Sequence, residues 1–223
     1  MVLVFGGTAV FAGLWLLTGR TKTTSYTVHG SPTGVQIRVV SGDVVIVGGG
    51  QGGVAIRRTD RSTFGHGPVE WRRWVGQRLE IASTCPRHVV GACAAAYRIA
   101  VPDNVPVSVR ADSGSIKVEG YRGSAALTTG AGAISVDAFC GYTLRTTTSR
   151  GDVSVVTSCA PSRLEARSTS GNISVTVPVD HYRIDASAGG GPAIVRGLTS
   201  DPNAPWEIQA LSTSGDVIVE AAP

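Results

Sequence analysis

Charge is scarce in this chain. Asp, Glu, Lys and Arg make up 16% of its 223 residues, and lysine occurs only at Lys22 and Lys117. Low charge beside 42% hydrophobic content excludes a disordered chain, because there is enough apolar surface to offset the entropy of ordering. The near-absence of lysine turns the net charge of +4 into an arginine bias of the kind GC-rich coding produces. It is no nucleic-acid signal by itself and gives only a mild preference for anionic surfaces. Paired CxxC motifs are absent, and His29, His66, His88 and His181 are scattered, none at metal-ligand spacing with Cys, Asp or Glu. The nonapeptide calcium repeat and the nucleophile elbow are missing too. No catalytic residue, metal or cofactor is therefore expected.

What is abundant is Gly, at 29 residues, with Val, Ala, Ser and Thr, a mixture suited to strands and tight turns. One phrase recurs. It reads Ser41-Gly42-Asp43-Val44-Val45-Ile46, then Ser113-Gly114-Ser115-Ile116-Lys117-Val118, then Gly132-Ala133-Ile134-Ser135-Val136. It returns as Arg150-Gly151-Asp152-Val153-Ser154-Val155, Ser170-Gly171-Asn172-Ile173-Ser174-Val175 and Ser214-Gly215-Asp216-Val217-Ile218-Val219, with a degenerate copy around Gly191 to Val195. Aliphatics two and four places after each glycine alternate with small polar residues, which is the period of a strand with one buried face. A second strand of the same parity precedes each glycine, for example Val107 and Val109 or Leu164 and Ala166.

Units this short cannot bury an apolar face alone, and stacking them does. The expected fold is all-β, a parallel β-solenoid of about 19–20 residues per turn. An antiparallel sandwich also spaces strands regularly, but its strands have no reason to share one phrase at fixed phase. Cys140 and Cys159 then lie one coil apart, and Cys85 and Cys93 flank a Pro-containing loop. Four cysteines in this pattern fit two disulfides, and so an oxidising compartment.

Val2 to Leu17 is uncharged and almost wholly apolar, ending before Arg20 and Lys22. Sixteen residues span about 24 Å as a helix, short of a bilayer core of about 30 Å. No basic n-region precedes the segment and no small-x-small site follows it. It reads as an uncleaved signal anchor whose start lies upstream, as a short span flanked by Arg20 and Lys22, or as a buried N-terminal element. Positive-inside counting on this segment alone would place the remainder in the cytoplasm. Cysteine usage argues for the outer side, so a single-pass membrane protein with an extracytoplasmic C-terminal domain is expected. Residues 1–19 are the transmembrane anchor, 20–30 a stem and 31–223 the solenoid, with 48–96 an insertion or cap within it.

Tyr97-Arg98-Ile99-Ala100-Val101-Pro102, then Val107-Ser108-Val109 and the Ser-Gly-x-Ile-x-Val coils to Val219, resemble the DUF4097 family, adhesin-like β-solenoid domains of bacterial envelope proteins. The resemblance covers roughly residues 30 to 220 and departs from the plain pattern between Gly48 and Ala96. It implies an envelope setting and a structural or binding role without an established reaction.

Several motifs carry competing readings. Gly48, Gly50 and Gly53 form a GxGxxG with Glu70 downstream, but the sequence after it reads as a strand, where a dinucleotide site needs a helix. Asp43, Asp152, Asn172 and Asp216 follow corner glycines. An aligned row could bind Ca²⁺ or act on a glycosidic bond, yet Ser115 and Ala133 break it, and Asp and Asn are turn residues that bond their own backbone. The most distinctive surface is the basic insertion, where Arg57, Arg58, Arg72 and Arg73 accompany Trp71 and Trp74. These six are expected to bind an anionic envelope polymer, lipid headgroups or another envelope protein, while Trp71 and Trp74 can equally cap one end of the solenoid, and the two readings are compatible. The expected function is a non-enzymatic, envelope-anchored, adhesin-like or structural role, with self-association open and no nucleic-acid partner. The alternatives are a carbohydrate-active β-helix enzyme, for which such short coils leave little room, and a sensor or scaffold in envelope stress signalling.

Overall fold

A computed structural model describes residues 19–63, 67–86 and 91–223. The apolar segment 2–17 and the histidines His66 and His88 lie outside the described residues, which contain strands and no helix that could cross a membrane. The strands are β1 (Arg20–Val28), β2 (Gly34–Ser41), β3 (Val44–Val47), β4 (Val54–Ser62), β5 (Val69–Val75), β6 (Arg78–Thr84) and β7 (Cys93–Ala100). There follow β8 (Val107–Ser113), β9 (Ile116–Glu119), β10 (Ala125–Ala131), β11 (Ile134–Phe139), β12 (Thr143–Arg150) and β13 (Val153–Thr157). The last are β14 (Arg163–Ser170), β15 (Ile173–Val177), β16 (Tyr182–Ala188), β17 (Ala193–Arg196), β18 (Trp206–Ser214) and β19 (Val217–Ala221).

Two sheets face each other. One has the order β1-β4-β7-β3-β9-β11-β13-β15-β19-β17, the other β16-β18-β14-β12-β10-β8-β2-β6-β5. The first is called sheet A and the second sheet B. Each coil gives one strand to B, turns at its glycine, and gives the next strand to A. Neighbouring coils pair in parallel, in the register the repeat dictates: Val107 with Ala125, Ala125 with Leu144, Leu144 with Leu164. The aliphatics named above from the phrase, Val44 and Ile46 through Val217 and Val219, are almost fully buried between the sheets.

The corner explains the glycine. Gly151 has φ +144°, and a Cβ there would lie 2.2 Å from the Gly132 carbonyl oxygen of the preceding coil. The corner backbone stays in the ladder: Gly132 N donates to Arg150 O (2.8 Å) and Ile134 N to Asp152 O (2.9 Å). The corner carbonyl turns inward, where a buried hydroxyl on the next coil reaches it. Thr129 Oγ1 donates to Gly114 O (2.8 Å), Thr148 Oγ1 to Gly132 O (3.1 Å), Ser168 Oγ to Gly151 O (3.0 Å) and Ser212 Oγ to Gly171 O (2.8 Å). The Asp/Asn row has a structural role, but across coils and not within its own turn. Asp43 Oδ1 accepts from Ser115 N (2.8 Å), Asp152 Oδ1 from Asn172 N (2.7 Å) and Asn172 Oδ1 from Asp216 N (2.9 Å).

Chain order and stacking order part at both ends. The coil β6–β7 stacks outside β2–β3, and the last coil, β18–β19, inserts between β14–β15 and β16–β17. The degenerate copy near Gly191 is therefore the terminal coil, with one side unstacked and β17 largely exposed. Residues 20–28 form an edge strand, β1, instead of a stem, antiparallel to β4 over nine residue pairs. The stretch 48–96 supplies the antiparallel strands β4, between β1 and β7, and β5, at the edge of sheet B, together with β6 and the first half of β7. The GxGxxG is the turn from β3 into strand β4. Cys85 is bonded to Cys93, and Cys140 to Cys159, whose Cα atoms on adjacent coils are 4.8 Å apart.

Candidate functional site

Strand alternation sorts the basic insertion. On β5, Glu70, Arg72 and Trp74 stand opposite Ser83, Ile81 and Leu79 of β6 and face inward, while Trp71 and Arg73 stand opposite Ala82 and Glu80 and face outward. The Glu70 side chain is only 7% exposed. It reaches across to sheet A, accepting from Tyr26 OH (2.7 Å) and Tyr97 OH (2.9 Å), and pairs with Arg58 (3.5 Å) and with Arg72 (3.1 Å). Arg58 also pairs with Asp60 (2.6 Å) and donates to Pro68 O (2.7 Å), and Arg72 stacks over the Tyr26 ring at 4.1 Å. Burial first, and the Glu70 carboxylate second, push both phenols well above the ordinary tyrosine value, so they remain donors. With its acceptor positions filled by four partners, Glu70 ties β5 of sheet B to β1, β4 and β7 of sheet A. This cluster closes the end of the stack and leaves no open chemistry.

Outside, the same end carries a groove of about 590 Å³ on sheet B. Trp71 forms a wall, and Ala82, Ser108 and Thr128 lie along the floor. Arg38 on β2 and Arg110 on β8 stand directly opposite each other in register, both exposed. Their strands are about 4.8 Å apart, so the two like charges disfavour each other and an anion bridging them would relieve this. Among the described residues the nearest carboxylate pairing is Arg110 with exposed Asp112, at 3.9 Å. Gln36, with its amide oxygen towards Arg38 Nη2 (3.0 Å) and its nitrogen towards Glu80 (3.2 Å), holds the Arg38 guanidinium in place. A second depression of about 550 Å³ continues the groove past Gln36 and Ser108, between Arg78 and Arg145.

The six insertion residues do not form one patch. Trp71 lines the groove. Arg73 sits beside it, its guanidinium 4.9 Å from the Trp71 ring centre and paired with Glu80 at 2.8 Å. Arg58 and Arg72 belong to the Glu70 cluster, and Trp74 covers the end of the stack near Gly30. Arg57 lies on the outer face of sheet A, opposite Arg98, in a depression of about 420 Å³. Arg38 and Arg110 escaped sequence reasoning because they stand on different coils. Their signal is positional: each precedes its corner glycine, Gly42 or Gly114, by four residues, which puts both in one outward row.

Comparison with known proteins agrees with this architecture. No curated protein matches the chain in sequence. A crystal structure of a candidate cell adhesion protein from Clostridium sporogenes aligns with 91% of this chain and 100% of its own, at 12% identity and TM-score 0.55. A candidate adhesin from Bacteroides fragilis aligns over 91% of this chain and 97% of its own, at 12% identity and TM-score 0.53. Both likenesses concern the fold. The family model described as Toastrack DUF4097 matches residues 103–221, more than half of the chain, and the chain belongs to that family.

Proposed function

We propose that this protein is a non-enzymatic, adhesin-like binding domain held at the outer face of a cell membrane by residues 1–19. It recognises an anionic envelope component, a polymer or lipid headgroup, through the sheet B groove. The observation that carries this reading is the facing pair Arg38 and Arg110 beside Trp71, a cationic row that folding alone would not favour. The floor of the groove lies on strands β2, β6, β8 and β10, each paired on both sides, so little ordering cost is added on binding. Export is supported by the two disulfides. Because β1 begins at Arg20, the domain would sit close against the bilayer, with exposed Arg20, Lys22 and Arg61 near the anchor.

The test is a double substitution, Arg38→Gln with Arg110→Gln, assayed on polygalacturonate and on phosphatidylglycerol vesicles. Losing two charge-assisted contacts of about 1.5–3 kcal/mol each should weaken binding at least ten-fold. Binding of the unaltered protein should also fall with salt. Binding that is unchanged in the variant would refute the groove. A C-terminal reporter active only outside the cytoplasm tests the orientation, and an inactive reporter on a stable fusion would refute export.

A further inference from the structure

The edge where each coil passes to the next holds a separate groove of about 480 Å³. Its lining brings together Tyr142, Trp206, Asp103, Asn104, Arg122 and Ser162, from five neighbouring crossings of the stack. Tyr142 is 70% exposed, a large ring left in water without a packing reason. Trp206 is half-buried against the core, which fixes its ring. The loops that bear these groups are bonded to each other: Asn104 N donates to Arg122 O (3.2 Å), Cys140 N to Tyr121 O (3.0 Å), Arg163 N to Tyr142 O (3.2 Å) and Glu207 N to Ser162 O (3.1 Å). The Cys140–Cys159 disulfide, itself part of the lining, locks two of them.

We propose that this loop-edge groove is a saccharide-binding subsite for a neutral pyranose. Aromatic rings pack on the apolar C–H face of a sugar. A carboxylate, an amide and a guanidinium each offer paired polar atoms that match vicinal hydroxyls. Asp103 and Arg122 are both exposed and among the described residues form no ion pair; Asp103 Oδ1 accepts from Gly49 N (3.3 Å), which leaves its second oxygen and the Arg122 guanidinium open to a ligand. Their charges cancel, so the groove attracts no net ion. That separates it from the sheet B groove, whose charge is cationic, and the inference stands without that reading. Nor does the lining present an open strand edge for an extended peptide to join.

The experiment is saturation-transfer NMR on the full chain in phosphocholine micelles, a detergent without a sugar headgroup. The probes are methyl glycosides and tetrasaccharides of glucose, galactose, mannose and N-acetylglucosamine, with decaproline as the peptide alternative. At least one saccharide should receive saturation at its ring C–H protons. Tyr142→Ala and Arg122→Ala should each lower its apparent affinity at least ten-fold, and Arg38→Gln with Arg110→Gln should leave it unchanged. Both single variants alter exposed side chains outside the core, so the fold is retained, and circular dichroism checks this. Transfer to no saccharide, transfer that survives in Tyr142→Ala, or binding of decaproline alone would overturn the proposal.

Discussion

Two buried threonines of one coil should respond in opposite directions to the same substitution. Thr148 is buried and donates to the Gly132 carbonyl at 3.1 Å, and among the described residues no backbone N–H reaches that oxygen. Thr148→Val keeps the branched shape and removes the donor, leaving a buried carbonyl unpaired at a cost of about 1–3 kcal/mol. Thr157 is equally buried, 3% exposed, but its hydroxyl has no partner among the described residues. There the desolvation penalty is already present in the native fold, so Thr157→Val should be neutral or stabilise by about 1 kcal/mol. For a domain of this size each kcal/mol moves Tm by about 2–4 °C, so the two variants should separate by at least several degrees. Guanidinium unfolding followed by far-UV circular dichroism gives both midpoints. A Thr148→Val midpoint equal to that of the parent, or a Thr157→Val protein less stable by more than about 1 kcal/mol, would refute the corner-carbonyl ladder.

Gly151→Ala places a Cβ against the Gly132 oxygen at a positive φ, and should cost about 3 kcal/mol or more, visible as lost soluble expression or a collapsed midpoint. Replacing Cys140 and Cys159 with serine opens a loop that chain-entropy arguments value at about 3 kcal/mol, against about 2.5 kcal/mol for the shorter Cys85–Cys93 loop. Equal midpoints with and without reductant would contradict both. Burial, reinforced by nearby carboxylates, raises the phenols of Tyr26, Tyr97 and Tyr121, and pushes Tyr182 up to about 12. Since their folded values lie above an unfolded value of about 10, their contribution is complete below pH 10 and is lost as pH rises beyond it. The denaturation midpoint should therefore fall between pH 9 and pH 11. Phenolate absorbance from these four in the folded protein near pH 10 would count against their burial.

The coil was legible in the sequence because two signals coincide: alternation such as Ile173 and Val175, and a glycine at constant phase that only a left-handed corner explains. The Cys140–Cys159 pairing followed from the same period. The order of the coils was not legible. A phrase such as Ser-Gly-Asp-Val specifies a coil competent to stack but not which coil it stacks on, so the insertion of β18–β19 ahead of β16–β17 leaves no local trace. The cap hid for a related reason. Trp71 and Trp74 are close in the chain, but an odd spacing on a strand sends them to opposite faces, one to a groove and one to the end of the stack. Arg38 and Arg110 are far apart in the chain and adjacent in space, which only the register reveals.

Where this domain meets other molecules follows from how its ends are finished. An open solenoid end is a template for further strands. At one end, β4 runs antiparallel to the stack in sheet A, with β1 paired beyond it, and β5 runs antiparallel in sheet B, while the Glu70 cluster binds the two sheets together across it. At the other, Ser200 Oγ accepts from Ile184 N (3.0 Å) and Asp201 N donates to Tyr182 O (2.9 Å), filling part of the outer edge of β16. The companion strand β17 is four residues long and is preceded by Pro192, which has no N–H to offer. Growth by end-to-end stacking is thus disfavoured by the same groups that complete the fold. The two grooves proposed as binding sites lie instead on the long surfaces, the outer face of sheet B and the loop edge beside Cys140–Cys159, where exposed arginines and aromatic rings stand together.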